Sequence, residues 1–534
     1  MPLLLNIARP LRALPLLAVV CLFGLSAAPG AAKAGFQDAR IIHLFNKHCA
    51  RCHGADRLGR MGPALLPQNL KRLNRNKAGG LIAKGRIATQ MPAFGARLTA
   101  AQIAGLVDYI YTPLDHLPRW GRAEIMNSRK LTPLARRIDK PIFKADPLNL
   151  FVVVESGDHH VTILDGDKFE PLARFASHFA LHGGPKFTPD GRYVFFASRD
   201  GWVTKYDLYA LRVVADVRAG INTRNIAISA DGRHVAVANY LPHSLVILRS
   251  TDLAVEKIFD VRDRWKHSSR VSAVYQARPR NSFIAALKDV PEIWEIATDP
   301  KAPPVYEGFV HSHEKSMQEA LASTSGLFAR RRIAVKEPLD DFFFDQSYRN
   351  LIGSSRDGKH ARVVNLNTGQ TIASIALPSL PHMGSGITFT YKGRRVMASP
   401  HLREGKISVI DMTSWKLIKT IKTQGPGFFM RSHENTPYAW AGVFFGPHRD
   451  LVNIIDKRTL KIVKTLRPVP GKTAAHVEFD RSGRHALLSI WDMDGAVIVY
   501  DAARLKEVKR LPMVRPAGKY NVYNKITFSE GTSH

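Results

Sequence analysis

The chain has 534 residues, 45% of them hydrophobic, which excludes a single small domain and a disordered chain and fits two globular domains of unequal size. A formal net charge of +32 at pH 7 favours anionic partners: an acidic redox protein, a poly-carboxylate ligand or an anionic membrane surface. The basic residues are scattered rather than gathered into one tract, so part of the excess serves solubility alone.

In chain order, Arg9 and Arg12 precede an apolar run from Ala13 to Ala28 that is short and rich in small residues for a membrane span. Ala32-Lys33-Ala34 follows as an A-x-A-like cleavage site, so residues 1–34 are expected to be a cleavable signal peptide that directs the chain to the periplasm. A retained N-terminal anchor is the competing reading. Export removes nucleic acid from the partners. Of the three cysteines, Cys21 lies in this segment in a poor lipoprotein context, which leaves Cys49 and Cys52.

Those two belong to Cys49-Ala50-Arg51-Cys52-His53, the C-x-x-C-H pattern in which two thiols bond the haem vinyl groups and the adjacent histidine reaches the iron. A covalent haem c is therefore expected, with His53 as proximal ligand. Met91, in Met91-Pro92-Ala93-Phe94-Gly95, offers a thioether held by a proline turn as the sixth ligand; Met61, His43 and His48 are weaker candidates. Apolar Ile41, Ile42, Leu44 and Phe45 predict a helix over 38–48. Thr99 predicts the cap of a second helix, carrying Ile103, Leu106, Val107 and Ile110. This is a small all-α cytochrome c domain over 35–115, followed by a basic, proline-bearing linker over 116–139.

From about residue 140 the pattern changes to short strands separated by tight turns. Lys186-Phe187-Thr188-Pro189-Asp190-Gly191-Arg192-Tyr193-Val194 is a strand, a glycine turn and a second strand, and similar units occupy 226–235, 387–396 and 477–486. Further strands follow that end on an aspartate, at Asp207, Asp411 and Asp501. Weaker units near Asp146, Arg278, Gln346 and Asn435 bring the count to eight, which predicts an eight-bladed β-propeller over 140–534. Two β-sandwiches are the rival, but they give no reason for one turn to recur at blade spacing. The stretch from Lys301 to Lys336, with Met317, Leu321 and Arg330-Arg331-Arg332, reads as an insertion between blades. The central opening of such a ring suits a large planar ligand.

The combination resembles the cytochrome cd1 nitrite reductases and their haem d1-binding relatives, most nearly the dihydro-haem d1 dehydrogenase branch. The resemblance spans nearly the whole mature chain. It rests on the C-x-x-C-H cytochrome, the eight units, Leu181-His182, Ser198-Arg199-Asp200-Gly201, Leu380-Pro381-His382 and the closing Gly518-Lys519-Tyr520-Asn521-Val522-Tyr523-Asn524. It implies a non-covalent haem d1 or dihydro-haem d1, with His182 as one iron ligand and His382 on the other face. Nitrite reductases use a second distal histidine, which here should lie near 286–292, a segment with none. His476, in Ala474-Ala475-His476-Val477-Glu478, looks instead like the acid/base histidine of the dehydrogenase branch. The resemblance thus implies oxidation of a tetrapyrrole propionate to an acrylate, with electrons passed to haem c and on to a soluble periplasmic electron-transfer protein, and with nitrite reductase as recipient of the product. Nitrite reduction to nitric oxide and non-enzymatic haem d1 carriage are the alternatives. Arg224, Arg199 and Tyr240 are the expected partners of the ligand's carboxylates.

Overall fold

The computed structural model describes residues 38–528 and 530–531, apart from 71–72, 87–90, 118, 134–137, 308–321 and 356. The expected signal peptide lies outside the described residues, as do Pro118, Met317 and Leu321. Among the described residues no helix is long and apolar enough to cross a membrane.

The N-terminal domain is helical. Asp38 caps the helix Ala39–His48 by accepting from the Arg40 N–H at 2.9 Å, and the short helix Ala50–His53 follows directly. Thr99 and Gln102 form a reciprocal capping box at the start of Ala100–Tyr111, which satisfies two otherwise orphaned amides. These helices and Arg75–Lys84 enclose a core of Phe45, Ile82, Phe94, Leu106 and Val107.

Eight four-stranded antiparallel units make up the remainder, one of which carries a fifth strand. The ring is closed by its own ends: Pro516–Asn521 pairs with Phe151–Glu155 and completes the first blade, so the large sheet system has no open seam. Inner strands lie between neighbouring blades and are apolar on both faces, as in Ser282–Leu287, which is buried throughout. Outer strands such as Lys506–Met513 alternate between exposed and half-buried residues because one face meets water. Seven of the turns read from the sequence join the first and second strands of a separate blade; the eighth, near Asp146, leads into Phe151–Glu155 of the first blade, whose first strand comes from the C-terminus.

Within the linker, helix Arg122–Ser128 buries Ile125 completely in the core of the second and third blades, and Trp120 Nε1 donates to the Arg218 carbonyl at 2.9 Å. Lys130–Leu131 then adds the fifth strand to the outer edge of the second blade. One expectation about the connections requires correction: 301–336 does not separate blades. A hairpin of Val305–Glu307 with Ala322–Thr324 projects from the fourth blade, and Arg330–Ala334 is that blade's outer strand. The arginine cluster belongs to this strand: Arg331 and Arg332 pair with Glu295 and Glu292 of the neighbouring strand at 3.2 and 2.9 Å.

The cytochrome rests on the third blade. Leu58, Ala64 and Leu66 bury a small apolar cluster with Ile221, just before the first strand of that blade, and Leu241, which ends its second strand. This contact lies on the face of the ring where His182 and His382 emerge.

Candidate functional site

In the cytochrome, Cys49 caps the short helix Ala50–His53 and Cys52 lies within it, both half-buried, so the two side chains and His53 fall within one helical turn. His53 Nδ1 lies 2.8 Å from the Pro63 carbonyl. A carbonyl only accepts, so Nδ1 carries the proton and Nε2 keeps the lone pair a metal needs. The loop that supplies this carbonyl lies flat against the ring: a Cβ on Gly62 would stand 2.6 Å from the imidazole. Met61 belongs to the same loop, its sulfur 3.6 Å from Cys52 Sγ, and thus shares the side of His53. Met91 packs against the helical core that also receives Cys49, its carbonyl held by the Arg86 N–H at 3.1 Å. His43 is exposed, and His48 stacks edge-on against Phe94. The two cysteines and the Nε2 lone pair of His53 fit a covalent haem c.

In the propeller, His182 leaves the connection between the first and second blades. Its N–H bonds the Ala197 carbonyl at 2.8 Å, and Gly183 follows at φ +82°, where a Cβ would stand 2.6 Å from Asn225. Only glycine allows this turn so close to the third blade. His182 Nδ1 donates to the Arg224 carbonyl at 2.8 Å, and Arg199 Nη2 donates to Nε2 at 2.8 Å, so Nε2 carries the lone pair. His382, in the connection between the fifth and sixth blades, repeats the pattern with Nδ1 donating to the Phe428 carbonyl at 2.9 Å. Burial lowers both imidazoles, His182 well below its usual range because Arg199 and Arg224 add to the effect. Both are neutral and carry the lone pair on Nε2, which in His182 accepts from Arg199. Among the described residues no three His, Cys, Asp or Glu gather as they would around a bare metal ion. Two imidazoles instead suit an iron whose remaining ligands come from a macrocycle.

Blade number sets their relation. The two connections are four blades apart in a ring of eight, so His182 and His382 oppose each other across the axis. A flat ligand held between them must contain the axis in its plane and turn its edges toward the seam between the third and fourth blades and the seam between the seventh and eighth. His476 stands on the eighth blade, about a quarter turn from each. It occupies a β-bulge at φ +55°, an unusual conformation for a residue other than glycine, which turns its side chain out of the regular pleat. Buried Lys519 holds this bulge by donating from Nζ to the His476 carbonyl and, at 2.9 Å, to Ser489 Oγ. Burial and the Lys519 charge depress the His476 imidazole well below its usual range. The Lys519 amide is 3.4 Å from Nδ1, too long a contact to fix the tautomer.

An aromatic wall that sequence reasoning missed joins the two histidines. Phe428 lies 4.2 Å from the His382 ring, Phe429 4.5 Å from Phe428 and 4.9 Å from His476, and Tyr520 5.1 Å from His476. Adjacent phenylalanines serve one wall because their strand is bulged between Gly427 and Met430. The doublet Phe428-Phe429, followed by Phe444-Phe445, is the signal that could have revealed it.

Arg224, Arg199 and Tyr240 gather on the side of the third blade. Burial would raise the Tyr240 phenol, but Lys288, Arg224 and Arg199 outweigh it and bring it down to about 8. Burial lowers Arg199 to about 10. Lys288 and Asp341 were not expected. Lys288 lies in the segment where the second distal histidine of a nitrite reductase was sought; its Nζ is 5.0 Å from the Tyr240 ring centre and 3.4 Å from Asp340. Asp341 accepts from the Tyr275 hydroxyl and the Gly384 N–H, each at 2.9 Å, and stands 3.8 Å from His382 Nε2.

A family model described as cytochrome D1 heme domain matches residues 145–525, and one described as cytochrome C oxidase, cbb3-type, subunit III matches residues 37–110. The chain is 54% identical over 492 residues to the dihydro-heme d1 dehydrogenase of Pseudomonas aeruginosa, spanning 92% of this chain and 95% of that protein. It is 24% identical over 578 residues to the nitrite reductase of Stutzerimonas stutzeri, spanning 98% and 99%. A solved structure of dihydro-heme d1 dehydrogenase NirN in complex with DHE matches with a TM-score of 0.77 at 53% identity, covering 91% of this chain and 99% of that one. The propeller, its paired histidines and these likenesses agree: the chain belongs to the cytochrome D1 heme domain family, as a member that carries its own cytochrome c domain.

Proposed function

We propose that this protein is a periplasmic dihydro-haem d1 dehydrogenase, which completes haem d1 by oxidising a propionate side chain of the tetrapyrrole to an acrylate. Conversion of CH2–CH2 to CH=CH releases two electrons and two protons. His476, neutral and at the edge of the macrocycle plane, takes one proton; the other leaves to solvent. His182 and His382 occupy both faces of the substrate iron, so the reaction is confined to the periphery of the ring. The aromatic wall excludes water from the pigment face and leaves its edges to the polar groups. Haem c, when bound to Cys49, Cys52 and His53, supplies a one-electron acceptor with the elevated potential of histidine–methionine ligation. The apolar contact of Leu58, Ala64 and Leu66 with Ile221 and Leu241 keeps that acceptor against the site-bearing face.

The observation that carries this reading is the arrangement of three imidazoles, two opposed and one at the edge. It also weighs against nitrite reduction, because His382 stands opposite His182 and the fourth blade presents Lys288 where a proton-donating histidine was sought. Electrons then pass to a soluble periplasmic protein, for which the charge of +32 favours an acidic partner, and the product passes to nitrite reductase. The test is anaerobic incubation of the purified haem c protein with dihydro-haem d1 and a soluble one-electron acceptor, since haem c holds only one of the two electrons released. The pigment spectrum should convert to that of haem d1 with stepwise reduction of haem c, and His476→Asn, which tolerates the left-handed backbone, should bind pigment without converting it. Conversion at the wild-type rate by this variant, or nitric oxide formation from nitrite at a rate exceeding pigment oxidation, would overturn the proposal.

A further inference from the structure

Two axial bonds fix the centre of a tetrapyrrole but leave it free to turn about the line joining His182 and His382. The aromatic wall of Phe428, Phe429 and Tyr520 grips any part of a flat face equally well. Since His476 stands at one point on the rim, only a turn that brings the reacting propionate to the eighth blade is productive. Something on another edge must set that turn.

The fourth blade lies directly across the ring from the eighth. At the same end of the channel as the three histidines, Tyr240 closes the second strand of the third blade and Lys288 follows the second strand of the fourth. Lys288 is 8% exposed, yet its ammonium lies against the Tyr240 ring rather than in bulk water. Arg270 stacks over the same ring at 5.4 Å while its guanidinium is engaged by Asp289 at 2.7 and 2.9 Å. Arg224 completes the group from the third blade's inner strand. Four cations, Arg199, Arg224, Arg270 and Lys288, thus meet three carboxylates, Asp289, Asp340 and Asp341, around one phenol. This leaves an excess of positive charge at one edge of the pigment plane.

We propose that Lys288 and Tyr240 form a carboxylate clamp that sets the rotational orientation of the tetrapyrrole and so determines which side chain meets His476. The clamp rests on the functional reading above. Its ligands are the carboxylates of the macrocycle edge opposite the reacting propionate, held by an ammonium and a hydroxyl that donate to the same anion. Lys288 is a positioning residue, since it lies across the ring from the reacting carbons.

The test uses the full-length haem c protein loaded with ferric haem d1, with the hyperfine-shifted proton resonances of the bound pigment as readout. Wild-type protein should give one set of pigment methyl signals. Lys288→Met should give two or more sets while pigment affinity stays within a few-fold, and turnover of dihydro-haem d1 should fall about two- to fourfold, in step with the fraction still in the productive orientation. Lys288→Arg should restore the single set. If Lys288→Met does not fold, Tyr240→Phe, which removes one oxygen, serves as the variant. A single set of signals in the folded variant, identical to wild type, would overturn the clamp even if the protein oxidises its substrate. A single set in wild type that splits in the variant would uphold it even if no oxidation were found, in which case only the functional reading fails.

Discussion

The cytochrome and the propeller each present histidine to a tetrapyrrole, but they build their sites in opposite ways. In the cytochrome, two thiols and a proximal imidazole occupy five consecutive residues, and one helical turn brings them to one side of the ligand. In the propeller, His182, His382 and His476 span almost 300 residues and come from connections and strands of different blades. A local site depends on local geometry. A distributed site depends on the number of blades, because only in a ring of eight does a separation of four place two imidazoles face to face.

The largest effect that separates these designs is expected at His476. His476→Asn should lower kcat/KM for dihydro-haem d1 by about 10²- to 10⁴-fold, the usual contribution of a positioned proton acceptor, with the bound-pigment spectrum unchanged. Loss of pigment binding in this variant would mean that the edge and the faces of the site are not independent. The depressed imidazole gives the wild type a signature: the charged form is disfavoured, so His476 stays competent as pH falls through the ordinary histidine range near 6.5. The acid limb of its pH–rate profile should therefore lie below that range.

The join between the two domains comes next. Ile125→Ala should destabilise the protein by about 2–4 kcal/mol, since it opens a cavity in a fully packed core. Read by chemical denaturation, a loss below 1 kcal/mol would show that the helix Arg122–Ser128 is only laid on the surface. Within the cytochrome, Met91→Ala should leave haem c attached but lower its reduction potential, while Met61→Ala, on the His53 side, should not. Spectroelectrochemistry distinguishes the two, and an unchanged potential in Met91→Ala would remove it from the iron. The smallest effect is expected from Tyr240. Its phenol, near 8, is neutral below that pH and anionic above it, so affinity for the carboxylate-rich pigment should weaken as pH rises through 8. Tyr240→Phe should flatten that dependence in a binding titration.

Legibility followed the same division. The haem c motif, the capped helices and seven of the blade turns are readable because each is encoded within about ten residues; the first blade is joined from the two ends of the propeller. His182, His382 and His476 were found by resemblance; none has a local pattern that separates it from an ordinary packing histidine. Lys288 has no sequence signal of its own, since a single lysine among so many basic residues looks like a solvated surface charge. Arg330-Arg331-Arg332-Ile333-Ala334 carries three adjacent charges and so lacks the pattern of a strand. The strand forms because Glu292 and Glu295, more than 30 residues away in sequence, neutralise two of them across the sheet. The docked helix at Ile125 was masked by the prolines and arginines around it.

The order of amino acids by itself determined the covalent haem attachment, the helical domain that bears it and the number of β units, since covalent spacing and short-range hydrogen bonding act over a few residues. Ring closure alone decided which imidazoles oppose, which one meets the edge of the pigment, and where Lys288, Tyr240 and the phenylalanine wall converge. Those relations are angles between blades, and an angle between blades exists only once Pro516–Asn521 has paired with Phe151–Glu155 and the circle is complete.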